Sequence, residues 1–371
     1  MILHSRKSEA GSLPGMSTTE EELDDLLFTT LKENASDLHL SVGRHPMIRV
    51  DGSLLPLTQK PILNAEMLEK MVTAFITPEQ KEIFFREREL DLAYNFKDKA
   101  RFRVNMYFHQ GTIAVALRLI TAKIRTVDEL GLPSILHKFT DLKQGFFLVV
   151  GPSGNGKSTT LAAMVDEINH KRAEHIITIE DPVEYIFEQN LSIINQREVG
   201  QDTISFYAAL RASLREDPNV IMVGEMRDTE TMSTAITAAE TGHLVFSTLH
   251  TNNAAQTIDR IIDSFPAEQQ DQVRAQLSAT LVGVLSERLL PRIRGGRIPA
   301  YEIMVTNSAV KSLIRENKVH QLDLVVETGA EEGMISLNRS LANLVKSGEV
   351  TLSSAELYSL NRKEFLALVG K

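Results

Sequence analysis

Residues 151–158 read Gly151-Pro152-Ser153-Gly154-Asn155-Gly156-Lys157-Ser158: glycines at both ends of a six-residue stretch with a third between them, then a lysine and a hydroxyl. That spacing suits phosphate. Glycines let backbone N–H groups turn inward around phosphate oxygens, and a helix starting there adds the positive end of its dipole. Lys157 would reach the β- and γ-phosphates, and the Ser158 hydroxyl would hold Mg²⁺. The motif directly follows the apolar run Gly145–Val150 and opens a helical stretch, Thr159–Ile168. The plainer reading is a Gly-rich strand-to-helix turn carrying a surface lysine; the full motif in this context favours a nucleotide site.

Breaking a phosphoanhydride also needs a positioned water and charge to meet the γ-phosphate. Three acidic groups close apolar or helical runs. The first is Glu180-Asp181-Pro182-Val183-Glu184, where Pro182 stops a strand and leaves the carboxylates on the loop at its carboxyl edge, the edge where α/β sheets bind ligands. The second is Val220–Gly224 followed by Glu225, which resembles a Walker B strand with glycine where many such strands carry aspartate. The third, Glu240, ends a helical pattern. Each carboxylate alone reads as a solvated cap; two strand-terminal acids beside a phosphate loop favour catalysis. His243 and His250 flank the strand-like LVFSTL. They differ by seven positions, so on one unbroken strand they face opposite ways, which argues against a shared metal. His250, near Ser247, Thr248 and Thr251, reads equally as a structural residue or as a hydrogen-bonding sensor of γ-phosphate. Arg101, Arg103 and Arg118 fall on strand-like segments. Arg211 and Arg215 are four apart on a helical stretch, which would stack them on one face; ordinary surface charge is the alternative for all five.

Two kinds of domain must place these residues. From about Thr18 to Asn34 a helical spacing of leucines follows a capping-box pattern, Ser17 with Glu20. Alternating segments follow at 38–42 and 48–50, with Asp51-Gly52 between strands as a hairpin turn. Then come helices near Ala65–Ile76 and Pro78–Arg88, and strands at Leu92–Phe96, Arg101–His109 and Ala114–Leu119. This predicts an α+β domain over 17–120, after a disordered extension over 1–16 and before a polar hinge over 121–125. Beyond it, short continuously apolar runs at Gly145–Val150, His175–Ile179, Val220–Val223 and Leu244–Phe246 alternate with helical patterns. That is the grammar of a mostly parallel sheet with helices on both faces. The domain over 126–371 is expected to become helical from about residue 278, broken only by a basic loop at Pro291–Pro299.

The 371 residues are 43% hydrophobic and 24% charged, an ordinary globular composition. Lysine plus arginine total 40 against 49 acidic residues, a net charge of −9, which disfavours generic nucleic-acid coating. Cysteine is absent. That excludes a disulfide framework, cysteine-ligated zinc and thiol catalysis, and suits a reducing cytosol. No apolar run reaches the ~18 residues of a membrane span, and the N-terminus lacks a signal-peptide core. A cytoplasmic protein is expected, with any membrane contact made through partners.

In order along the chain, GPSGNGKSTT, ITIEDPVEY, LRASLREDPNVIMVGEMRDTET and TAAETGHLVFSTLHTNNA resemble the Walker A, Asp-box, Walker B and His-box motifs of the secretion ATPase superfamily. ASDLHLSVG, RVDG and RFRVN resemble its PAS-like N-terminal domain. The resemblance runs from about Ser17 to Lys371, and within the superfamily it favours the type IV pilus retraction, or twitching-motility, branch. A single short N-terminal domain and the lack of a tetracysteine zinc insertion point that way, as does the C-terminal stretch from Ala309. There Ala309-Val310-Lys311 stands where the branch has Ala-Ile-Arg, and lysine lacks arginine's bidentate fork. The resemblance implies a RecA-like core binding ATP and Mg²⁺. It makes Glu184 the water-polarising residue and Glu225 the Walker B acid that manages Mg²⁺, with the glycine before it shared by the family. His250 becomes the γ-phosphate contact with His243 in support. Arg103 and Arg118 approach the nucleotide when the domains close, and Arg211 or Arg215 matches the arginine before Walker B. It further implies a homohexamer at the cytoplasmic face of the inner membrane, acting on a pilus platform protein.

Three functions follow: a retraction motor, with an accessory retraction or pilus-assembly ATPase of the same superfamily beside it; a hexameric nucleic-acid translocase, which the acidic balance disfavours; and a nucleotide-binding module without turnover, which the acidic set disfavours.

Overall fold

The computed structural model describes residues 19–50, 52–73, 75–97, 99–120 and 124–370. The expected extension over 1–16, Ser17 of the Ser17–Glu20 box and hinge residues 121–123 lie outside them. The chain divides into two compact units, Met1–Ala122 and Lys123–Lys371.

In the first unit, helix α1 (Thr19–Lys32) leads into strands β1 (Asp37–Ser41), β2 (Met47–Val50) and β3 (Ser53–Pro56). Val50 pairs with Ser53; Asp51 of the expected Asp51-Gly52 turn lies outside the described residues. Helices α2 (Ala65–Thr73) and α3 (Pro78–Glu87) follow, then β4 (Glu89–Phe96), β5 (Ala100–His109) and β6 (Thr112–Ile120). Local chemistry sets the bounds of α3. Thr77 and Gln80 form a reciprocal capping box, Pro78 occupies the first turn, and Arg88 closes the helix in the left-handed conformation. The six strands form one sheet in the order β3-β2-β1-β6-β5-β4, antiparallel at every pairing. Leu27, Leu38, Leu40, Leu68, Phe84, Phe102 and Val104 are fully buried in its core.

The second unit opens with α4 (Leu136–Thr140), β7 (Gly145–Val150) and α5 (Lys157–Lys171). Then come β8 (His175–Glu180), β9 (Ile193–Glu198), α6 (Phe206–Ser213), β10 (Val220–Val223), α7 (Thr229–Glu240) and β11 (Leu244–Leu249). The next elements are α8 (Ala254–Asp263), α9 (Ala267–Thr280), β12 (Leu281–Pro291) and β13 (Arg297–Val305). The tail holds α10 (Ser308–Arg315), α11 (Leu322–Thr328), α12 (Leu337–Lys346), α13 (Leu352–Tyr358) and α14 (Arg362–Val369). The sheet order is β13-β12-β7-β11-β10-β8-β9; only the β12–β13 pair is antiparallel. Side chains of β7 alternate between two cores. Phe146, Leu148 and Val150 join α6–α9 on one face, while Phe147 and Val149 join α4 and α5 on the other. Each buried phenylalanine contributes ~1.5–3 kcal/mol, which is why this strand reads as an unbroken apolar run.

One expectation is corrected here. The chain is not helical from residue 278 onward, because β12 and β13 form a long hairpin that adds two strands beside β7. Strand β12 is buried on both faces for most of its length, so it lacks the alternation that marks a strand, and it directly follows helix α9. Edge strand β9 is a second element absent from the sequence reading; its polar Asn195, Gln196 and Arg197 give it no apolar signature.

Candidate active site

Strand β7 ends at Val150, and the chain turns through Gly151, Gly154 and Gly156 at φ of 147°, 76° and 99° before α5 begins at Lys157. Lys157 is 8% exposed. Its ammonium donates to the carbonyls of Gly151 (2.9 Å) and Pro152 (3.1 Å). Burial pushes its pKa down, opposed by the charges of Glu287, Glu225 and Glu184. Ser158 is exposed in the first turn of α5. The Thr159 hydroxyl meets the Tyr185 hydroxyl at 2.8 Å, tying that turn to the loop after β8. Asn155 braces the loop from within, donating to the Pro152 and Ser153 carbonyls at 3.3 Å each.

Parallel strands deliver the acids to the same edge. Glu184 lies on the loop after β8, half-buried. Glu180, at the tip of β8, accepts from the Thr178 hydroxyl (2.6 Å) and the Gln196 amide (3.3 Å). Burial raises it to about 7, against these bonds and the backbone N–H of Glu184. Gly224 donates its N–H to Ile179 O at 2.8 Å; a Cβ there would lie 3.2 Å from that carbonyl, so glycine suits the close approach of the β10 and β8 ends. Glu225, just beyond, pairs with Arg227 and lies 3.4 Å from His250 Nε2. His250 Nδ1 is 3.4 Å from Ser153 Oγ. His250 therefore spans the phosphate loop and the β10 acid. A hydroxyl and a carboxylate are the hard oxygen donors Mg²⁺ prefers, and that ion typically takes one or two protein ligands and fills the rest with phosphate and water. Ser158 and Glu225 fit it.

Other expected site residues lie elsewhere. His243 precedes β11, at the opposite end of that strand from His250, and its Nδ1 sits 2.8 Å from Ala238 O. The six residues between span roughly 20 Å at ~3.3 Å per residue, so a supporting role for His243 at this chain's own phosphate loop is corrected. Arg215 lies beyond the end of α6, so it does not stack with Arg211 on one helix face. Both precede the amino end of β10, at the other edge of the parallel sheet; neither is placed to reach the phosphate loop of its own chain. Arg103 and Arg118 are cross-strand partners on β5 and β6 of the first unit, and Arg118 Nε donates to the buried Asp37 at 2.9 Å.

The sequence reading missed Glu287 and Arg288. Strand β12 runs beside β7, with Ser286 opposite Val150, which puts both residues against the phosphate loop. Arg288 donates to the Asn252 carbonyl (3.0 Å) and side-chain oxygen (2.9 Å), fixing the loop that follows His250. The available signal was a charged pair interrupting an apolar run, LVGVLSERLLP. A cavity of about 470 Å³ adjoins Asn155, Gly156, Thr159 and Thr160, with Glu287 in its wall and Arg125, Arg292 and Arg297 among its lining.

Residues 13–295 match the family described as type II/IV secretion system protein. The type IV pilus retraction ATPase PilT of Pseudomonas aeruginosa is 45% identical over 334 residues, 90% of this chain and 97% of that protein. The twitching motility protein of Neisseria gonorrhoeae is 45% identical over 317 residues, 85% of this chain and 84% of that protein. A solved structure of the pilus retraction motor PilT with bound ADP superposes with a TM-score of 0.87 at 45% identity, covering 92% of this chain and 98% of that one. With a match over most of its length and relatives of this identity nearly end to end, the chain belongs to the type II/IV secretion system protein family.

Proposed function

We propose that this protein is a motor ATPase that couples ATP hydrolysis to retraction of a type IV pilus. The observation that carries the chemistry is the convergence on Lys157: the strand-end carboxylates Glu184 and Glu225, delivered by two other elements, both bear on its buried ammonium. The pilus enters through relatives of 45% identity whose names speak of retraction and twitching motility.

ATP would enter at the end of β7. Lys157 exchanges the Gly151 and Pro152 carbonyls for β- and γ-phosphate oxygens, and the N–H groups of the glycine turn and of α5 surround the β-phosphate. His250, held between Ser153 and Glu225, donates toward the γ-phosphate. Glu184 accepts a hydrogen bond from the attacking water and orients it in line. Glu225 and Ser158 would hold Mg²⁺, which when bound neutralises charge on the β- and γ-oxygens. Family resemblance supports a homohexameric ring at the cytoplasmic face of the inner membrane, acting on a platform protein, with Arg103 and Arg118 supplying positive charge. Among the described residues no helix is long and apolar enough to cross a membrane, so attachment there would be through partners.

The purified chain should hydrolyse ATP with Mg²⁺, without stimulation by DNA. Lys157→Ala and Glu225→Gln should each lower turnover by about a hundredfold or more, the scale of losing a preorganised charge-stabilising group. Turnover at the parent rate in either variant would refute the site. Strong stimulation by DNA would favour the translocase instead.

A further inference from the structure

Glu287 is a buried acid that the hydrolytic chemistry does not use. It is 1% exposed. One carboxylate oxygen accepts from the Thr160 hydroxyl at 2.8 Å. The other, Oε1, is buried with no hydrogen-bond partner among the described residues, and it faces Gly156, where a Cβ would lie only 3.2 Å away. The backbone beside it is pressed as closely on the start of the phosphate loop: a Cβ on Gly151 would lie 2.5 Å from Glu287 O. Two residues on, Leu289 N–H donates to Asn155 Oδ1 at 2.8 Å. Strand β12 thus touches the loop at Gly151, Asn155 and Gly156, and the first turn of α5 at Thr160.

The absence of a side chain at both Gly151 and Gly156 is explained by this strand. Their positive φ values admit the turn, and the missing side chains admit Glu287. Burial raises the Glu287 carboxyl to about 8, against Thr160, Lys157 and Arg288. Its grip on Thr160 does not depend on charge, since a neutral carbonyl oxygen accepts that hydroxyl equally well.

We propose that Glu287 is a positioning residue for the phosphate loop: through Thr160 and the Gly156 turn it fixes the first turn of α5, and so the place from which Lys157 and Ser158 meet the phosphates. The inference rests on the nucleotide site proposed above and names a determinant of its affinity. Such outer residues set the geometry of the groups that touch the ligand, and small misplacements there are costly.

The test titrates a fluorescent ADP analogue into the full chain and measures KM and kcat for ATP. Glu287→Ala and Thr160→Val should each weaken binding by about fivefold or more and raise KM, with kcat within about twofold, the scale of one lost buried hydrogen bond. The double variant should bind no more weakly than the weaker single variant, because the two residues act through one contact. Glu287→Gln and Thr160→Ser, which keep an acceptor and a hydroxyl, should bind within about twofold of the parent chain. Should Glu287→Ala fail to fold, the Thr160 pair carries the test. Parent-like binding by Thr160→Val, or additive losses in the double variant, would overturn the proposal. Failure of the parent chain itself to bind the analogue would instead overturn the nucleotide site.

Discussion

At the scale of single residues, the site depends on which end of a strand a side chain occupies. His243 and His250 bracket the same six-residue strand, yet only His250 reaches Ser153 and Glu225. His243 bonds back toward the end of α7 through Ala238 O. His250→Ala should therefore lower ATP turnover by on the order of tenfold to a hundredfold, as loss of a hydrogen bond to a charged group at ~1.5–3 kcal/mol implies. His243→Ala should leave turnover within about twofold. Steady-state rates of both variants decide this, and equal losses would show that strand polarity does not govern the site. Glu225 illustrates the same dependence. Its neighbours Arg227 and His250 hold it beside the phosphate loop, whereas Glu180, one strand away, is enclosed and raised by burial to about 7.

At the scale of elements, β12 does what no motif announces. Inserted beside β7, it walls the phosphate loop and carries Glu287 and Arg288. Its fit against the helical layer is tight at Gly283, where a Cβ would lie 2.8 Å from Phe139 Cζ and 3.0 Å from Met304 O. Phe139 cannot retreat freely, because its ring packs tilted against that of Phe147 in β7, centroids 4.5 Å apart. Gly283→Ala should therefore destabilise the fold by ~1–3 kcal/mol, the usual cost of overpacking, seen as a lower midpoint in urea unfolding. KM for ATP should stay near the parent value, since Gly283 lies opposite Phe147, away from the loop end of the strand. An unchanged midpoint would mean that Phe139 repacks without cost. Helices α6–α9 and α4–α5 cover opposite faces of the sheet for an equally local reason, the alternation of Phe146 and Phe147 along β7.

At the scale of the whole molecule, the work of the protein is a cycle in cells, and its direction is tested there. A strain lacking this chain should carry more surface pili than its parent, because assembly would proceed unopposed. Complementation with Lys157→Ala should leave it hyperpiliated. Counting pili by electron microscopy checks both outcomes, and bald cells would assign the chain to assembly. The sequence by itself determined the phosphate loop, the strand-end acids, the mixed architecture of two units and the family. Each of these rests on local spacing: glycines that turn a chain, apolar runs that bury a strand, a proline that ends one. What only the tertiary structure decided is which of those residues meet. The placement of β12 next to β7, the burial of Glu287 under Thr160 and the separation of His243, Arg211 and Arg215 from the loop all follow from sheet order and strand polarity. The first two are contacts between segments more than a hundred residues apart, and no local pattern encodes any of the three.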